Sequence, residues 1–273
     1  MKYYHELSID GPPLPKSDFE ALCHLMPEAV GPSGLRYKLL THDSNGDEFI
    51  QHALNLFNKH SIPRRITADG SCYGYTISRF YEEQDLLQCD LLLLQPTQIQ
   101  KFTDPLRDEQ GRLLLMASNA QDRFTIASIF GGWTVVSDTV RCCLEAGGFI
   151  GLRFQEVAVK GEMLPEPFWE LSSSITLPKM PHPERFVHRG VAAAEPFQGD
   201  YSRVVLISDS PFAKAEIHYR KSDLSLLGLF DVAGTFENYM EPHPALVISQ
   251  RFYRHCLKHN ISLRVTPVRI DPG

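Results

Sequence analysis

The chain has 273 residues, 43% of them hydrophobic and 22% charged, and at this length a folded chain buries about three quarters of its extended surface. These values exclude a disordered, collagenous or coiled-coil chain, and they remove any need for disulfides or a metal to hold a core together. Lys and Arg total 27 against 33 Asp and Glu, giving a net charge of −6 and a pI near 6.0, which is not the basic excess of a nucleic-acid binder.

Tyr3 to Ile9 reads as an opening strand that stops at Asp10-Gly11-Pro12-Pro13. Ser17-x-x-Glu20 has the form of a capping box ahead of Phe19, Leu22 and Leu25, so a short helix is expected, ended by Pro27. Leu35 to Leu40 alternates like a half-buried strand, Asn45-Gly46 turns the chain, and Asp47 is placed to cap a helix carrying Phe49, Ala53, Leu56 and Phe57. Tyr73, Tyr75, Ile77 and Phe80 give a second β pattern, and Cys89 to Leu94 reads as a buried strand. Residues 96–111 read as a loop, and Phe124 to Phe130 as a further strand before Gly131-Gly132.

Two later segments share one form. Val135-Val136-Ser137 leads through a helical stretch to Gly147-Gly148 and Leu152-Arg153 ending at Val157; Val247-Ile248-Ser249 leads through another to Asn260 and Leu263-Arg264 ending at Val268. Each reads as apolar strand, serine cap, short helix, left-handed stop and exit strand. The expected fold is therefore α+β (mixed α/β), with two similar small mixed-sheet lobes carrying helices on them, at 1–160 and 161–273 or run together as one continuous domain, and a possible internal duplication. The Pro-rich stretch 158–184 joins them, with Phe168 to Leu171 and Ile175 to Leu177 as short strands, and the lobes are expected to share one interface. Val140, Leu144, Phe252 and Leu257 are expected to be buried helix positions.

The N-terminus lacks the apolar core of a signal peptide, and the longest apolar run, Leu91 to Leu94, is far short of a membrane span; a cytoplasmic chain that does not bind membranes is expected. Six cysteines occur without a C-x-x-C pair, and adjacent Cys142-Cys143 in a helical pattern reads as buried thiols in a reducing compartment.

No G-x-S-x-G, G-x-G-x-x-G, Walker lysine or His-Glu-x-x-His is present. His255 and His259 are spaced to reach one metal from a helix, but two ligands do not complete a zinc site, and they read as polar surface. His182 and His243 sit in Pro-His-Pro triplets, and Cys72 follows a turn at Gly70-Ser71. The runs Glu82-Glu83-Gln84-Asp85 and Asp43 to Glu48 read as charges near helix starts, or as an acidic face that steers a basic partner. No catalytic, cofactor or metal residue is assigned, and no cofactor is expected.

Four stretches in order carry a resemblance: Leu91-Leu92-Leu93-Leu94 before a long loop; Trp133 to Val157; Phe168-Trp169-Glu170-Leu171 with Thr176-Leu177-Pro178; and Phe230-Asp231-Val232-Ala233-x-Thr235 leading to Val247-Ile248-Ser249-Gln250-Arg251-Phe252 and Pro267-Val268. This layout resembles bacterial immunity proteins of polymorphic-toxin systems, including relatives with a double C-x-x-C-G motif, although this chain has no such motif and no cysteine-held metal is expected from it. The resemblance implies a non-enzymatic cytoplasmic antitoxin of interbacterial competition that binds one cognate toxin effector domain and occludes it; it implies no particular binding residues. The alternative is an enzyme, a hydrolase or transferase, built around Cys72, His182 or His243. A third reading is a regulatory module with a partner in the same cell.

Overall fold

The computed structural model describes residues 2–10, 14–31, 34–43, 45–62, 73–98, 106–116, 126–129, 132–160, 166–181, 186–188, 205–208, 217–239 and 243–272, and the fold is mixed α+β. One compact unit is built on Met1–Asp85, the other on Leu86–Asp209 and Ala215–Gly273.

The first unit runs β1 (Lys2–Asp10), α1 (Lys16–Leu25), a 3-10 turn, β2 (Val30–Gly31), β3 (Gly34–Thr41), α2 (Glu48–Lys59) and β4 (Tyr73–Phe80), with sheet order β2-β3-β1-β4. Alternation along β1 puts His5, Leu7 and Ile9 on one face, all fully buried. Leu7 and Ile9 pack with Leu22 of α1 and with Ile50, Ala53 and Phe57 of α2. α2 begins as its sequence predicts, Ile50 N–H donating to Asp47 Oδ1 at 2.9 Å. α1 does not use its capping box. It starts two residues earlier, at Lys16 with Pro15 as its cap, and the Pro15 carbonyl accepts from Asp18 and Phe19, which places Ser17 inside the first turn. Proline fixes φ for the chain entering a helix, and here that outweighs the serine.

After α3 (Glu83–Leu86), the second unit holds β5 (Leu91–Leu94), β6 (Thr97–Gln98), β7 (Leu106–Arg107), β8 (Leu113–Met116), β9 (Ile126–Ser128), β10 (Thr134–Ser137), α4 (Asp138–Ala146), β11 (Leu152–Glu156), β12 (Ala158–Lys160) and β13 (Phe168–Ser173). It continues with β14 (Phe186–His188), β15 (Val205–Ser208), β16 (His218–Arg220), α5 (Lys221–Ser225), β17 (Val232–Gly234), β18 (Asn238–Tyr239), β19 (Leu246–Ser249), α6 (Gln250–Lys258), β20 (Val265–Pro267) and β21 (Arg269–Asp271). Residues 96–111, expected as loop, thus contribute two short strands, while Ile175 to Leu177 forms only a bridge from Thr176 to Gly234.

Its two larger sheets have matching topology, β11-β13-β10-β9-β6 and β20-β5-β19-β17. β13 runs antiparallel to both β10 and β11, so those two are parallel, joined through α4 and separated by one strand: a split β-α-β unit. β5 separates β19 from β20 in the same way, with α6 as the crossover. The registers agree residue for residue. Ser137 lies opposite Phe168 as Ser249 lies opposite Leu91; Val136 lies opposite Ile126 as Ile248 lies opposite Val232; Phe154 lies opposite Leu171 as Val265 lies opposite Leu94. Single hydrogen bonds repeat as well: Val157 N to Phe168 O at 2.9 Å matches Val268 N to Leu91 O at 3.0 Å, and Asp138 N to Pro167 O at 3.0 Å matches Gln250 N to Asp90 O at 3.2 Å.

The central strands are exchanged. β5, from the first half of the chain, completes the later unit, and β13, from beyond residue 160, completes the earlier one. The expected lobes 1–160 and 161–273 are therefore not the compact units: a division near 160 would strip each sheet of its middle strand, and the chain divides instead at Asp85/Leu86. Leu92, Val136, Val140, Leu144, Leu171, Ile248, Phe252 and Cys256 form one core beneath both helices. Val140, Leu144 and Phe252 are buried as expected, and Leu257 is half-buried against the same core. Among the described residues no helix is long and apolar enough to cross a membrane.

Candidate functional site

Both crossover helices begin at a serine whose hydroxyl accepts from the third residue on: Val140 N at 3.4 Å from Ser137 Oγ, and Phe252 N at 3.2 Å from Ser249 Oγ. Counted from these caps, Cys143 and His255 hold the same position, and they touch. His255 Nε2 lies 3.5 Å from Cys143 Sγ and 3.1 Å from the Cys143 carbonyl oxygen. His259 follows one turn later on α6, its ring centroid 4.4 Å from that of His255. The rings of Phe149 and His255 form a T-shaped pair, 5.1 Å between centroids at 85°. Cys256 lies in the core, where burial, helped by nearby Cys143, pushes its thiol up to about 12 and leaves it inert.

Beside this junction, the buried Asp231 carboxylate accepts from Ile150 N at 3.0 Å, Ser249 Oγ at 2.7 Å, and Arg251 Nε and Nη2 at 3.0 and 2.7 Å. Burial alone would raise its pKa; these donors outweigh that and hold it below the ordinary carboxylate value. Arg251 Nη2 also donates to Gly148 O at 2.9 Å, tying the turn after α4 to the start of α6.

A second feature is a cleft of about 340 Å³ lined by Arg107, Trp133, Glu170, Ser173, Thr235 and His243. The Arg107 guanidinium grips the nearly buried Glu170 through two bonds, at 3.0 and 2.9 Å, so that carboxylate is occupied. The His243 ring lies on Trp133 at 3.8 Å between centroids. Burial, reinforced by the Arg107 cation, lowers the His243 pKa and keeps the imidazole neutral at pH 7.

The third feature is apolar surface. Leu226 and Leu229, in the turns after α5, are 86% and 87% exposed, and Leu229 borders a groove with Leu224, Phe230, Ile270, Asp90 and Lys221.

Of the candidates named from sequence, Cys72 and His182 lie outside the described residues. His243 sits in the cleft. His259 is exposed, as expected, but His255 is half-buried against the other helix. Cys142 is exposed rather than buried, and Cys23, Cys142, Cys143 and Cys256 stand outside any disulfide. The acidic runs have local duties: Asp47 caps α2 and accepts from Tyr37, while Glu82 pairs with Lys2 at 2.6 Å. Sequence reading missed Cys143 as the partner of the two histidines, and missed Arg107–Glu170. Setting the two halves side by side supplies a signal for each: Cys143 aligns with His255, and Glu170 stands where the other unit has the core residue Leu93.

No protein-family model, curated protein or solved structure matches this chain.

Proposed function

We propose that this protein is a cytoplasmic immunity protein that binds a cognate toxin effector domain and occludes it without chemistry of its own. The observation that carries the reading is the pair Leu226 and Leu229, almost wholly exposed on a well-packed body. Scattered surface leucines are ordinary, but two at this exposure beside an apolar groove make a surface suited to a protein partner. Burying both would contribute about 3–6 kcal/mol, enough to dominate a standard interface. The resemblance to polymorphic-toxin immunity proteins supplies the kind of partner, and the stretches that carry it build the two matched β-α-β units. The thiols of Cys23, Cys142, Cys143 and Cys256 fit a reducing compartment, and the net charge of −6 favours a basic partner over nucleic acid.

The test is capture of the tagged protein from its native cells. The expected partner is a stoichiometric protein whose C-terminal domain arrests growth when expressed alone. A captured protein with no toxicity, or none at all, would refute the reading. A second reading, an enzyme, finds its footing in the cleft, where neutral His243 stands near Glu170. The substitution His243→Ala separates the two: it leaves neutralisation unchanged under the first reading and abolishes turnover under the second.

A further inference from the structure

The contact between α4 and α6 has donor chemistry where packing alone asks for none. At two other matched positions of these helices, apolar residues or a buried thiol meet the core: Val140 aligns with Phe252, and Leu144 with Cys256. At the point where the helices touch, the pair is Cys143 and His255, and the later unit adds His259 where the earlier one has Gly147, the residue that closes α4. Donor groups from both helices at the point where they touch depart from that pattern, as residues of a site do.

We propose that Cys143, His255 and His259 bind a single divalent zinc-class cation. One ligand atom from each of the three residues lies within 4.8 Å of the others. The Cys143 Sγ to His255 Nε2 edge is 3.5 Å. A tetrahedral centre with a metal–sulfur bond of about 2.3 Å and a metal–nitrogen bond of about 2.05 Å has a sulfur–nitrogen edge of about 3.6 Å. Two histidines four apart on one helix present their rings to the same side, and a thiolate from a neighbouring helix completes a set of three. One thiolate with two imidazoles suits zinc over magnesium or calcium, which take oxygen donors. The exposed side at His259 leaves a fourth position to water.

The surroundings favour a cation. His255 lies in the last turn of α6 and His259 at its C-cap, where the helix dipole is negative. Arg251, the cation one turn before His255, is neutralised by Asp231 at 2.7 Å. Binding exchanges the hydrogen bond between His255 Nε2 and the Cys143 carbonyl for a metal bond, and clamps the two units where their helices meet. The site does not depend on the toxin reading, and its test uses no partner.

The tag-free full chain is freed of metal with a chelator and titrated with cobalt(II), a spectroscopic substitute for zinc. One equivalent is expected to give a thiolate-to-cobalt charge-transfer band with the visible bands of a tetrahedral centre, both removed by zinc. Cys143→Ser is expected to abolish the charge-transfer band. His259→Ala, at an exposed position that does not threaten folding, is expected to weaken zinc binding at least as much as the roughly 10–100-fold that loss of an outer-shell partner costs. Cys142→Ser, at the exposed neighbouring thiol, should change nothing. No charge-transfer band in the unaltered chain, or a band that survives Cys143→Ser, would overturn the site and leave Cys143–His255 as a hydrogen-bonded helix contact.

Discussion

Replacing Asp231 with alanine isolates the network that ties one β-α-β unit to the other. Its side chain is 8% exposed and accepts four hydrogen bonds. Two come from Arg251, whose side chain is 57% exposed, so solvent screening leaves them worth little. The other two come from Ile150 N, on a residue 48% exposed, and from the half-buried Ser249 Oγ; a buried donor left unpaired costs about 1–3 kcal/mol, and partial access to water puts each of these near the low end. The sum for Asp231→Ala is a loss of about 2 kcal/mol, read as the shift in urea midpoint at an unchanged slope. Asp231→Asn keeps one acceptor oxygen but turns an amide toward the remaining donors, and should fall about halfway. The pH sign follows from the lowered carboxyl. The folded value lies below the unfolded one near 3.9, so the stabilisation is present above that value and is lost as pH falls through the folded pKa. Acid unfolding of the alanine variant should therefore start from lower stability and show a shallower decline below about pH 4. A loss under about 1 kcal/mol at neutral pH would refute the claim that this carboxylate joins the two units.

Other substitutions probe different links. Gly151 has φ of +92°, and a Cβ there would stand 2.1 Å from the Val232 carbonyl oxygen, so Gly151→Ala should cost at least about 2 kcal/mol in urea unfolding. Gly111→Ala, at φ of +76° in open space, should cost only the left-handed penalty of about 1 kcal/mol. Ser137→Ala should lower stability by about 1 kcal/mol, and Ser249→Ala by more, because Ser249 also donates to Asp231; calorimetry distinguishes the two. Glu237 is fully buried, Oε2 has no partner, and burial raises its pKa. As pH rises past the unfolded value near 4.3 the native state holds its proton longer, so ionisation works against folding; Glu237→Gln should leave stability at pH 7 equal or higher by about 1 kcal/mol, and a clear loss would contradict this.

Much of the second unit was legible because its signals are local. Ser137 and Ser249 announced both helices, Cys89 to Leu94 announced a buried strand that the structure confines to Leu91–Leu94, and Leu152-Arg153 with Leu263-Arg264 aligned the exit strands in the register the structure shows. What the sequence could not reveal is non-local. Nothing in Phe168 to Ser173 states that this strand inserts between β10 and β11, and the lobe boundary failed for that reason. The start of α1 was misplaced because Pro15 and Ser17 compete within one turn, and the stiffer residue prevailed. The metal reading of His255 and His259 stopped at two ligands because the third, Cys143, lies 112 positions away. Only the match between the halves places it there.

The central claim is neutralisation by binding through the surface at Leu226 and Leu229. It is tested most directly by growth of cells that express the captured toxin domain together with this protein or its Leu226→Asp/Leu229→Asp variant. The account predicts full rescue by the unaltered chain and, with about 3–6 kcal/mol of apolar burial removed, at least a hundredfold loss of affinity and no rescue by the variant at matched folded levels. Rescue by both would contradict the assignment of the surface, and rescue by neither would contradict the function.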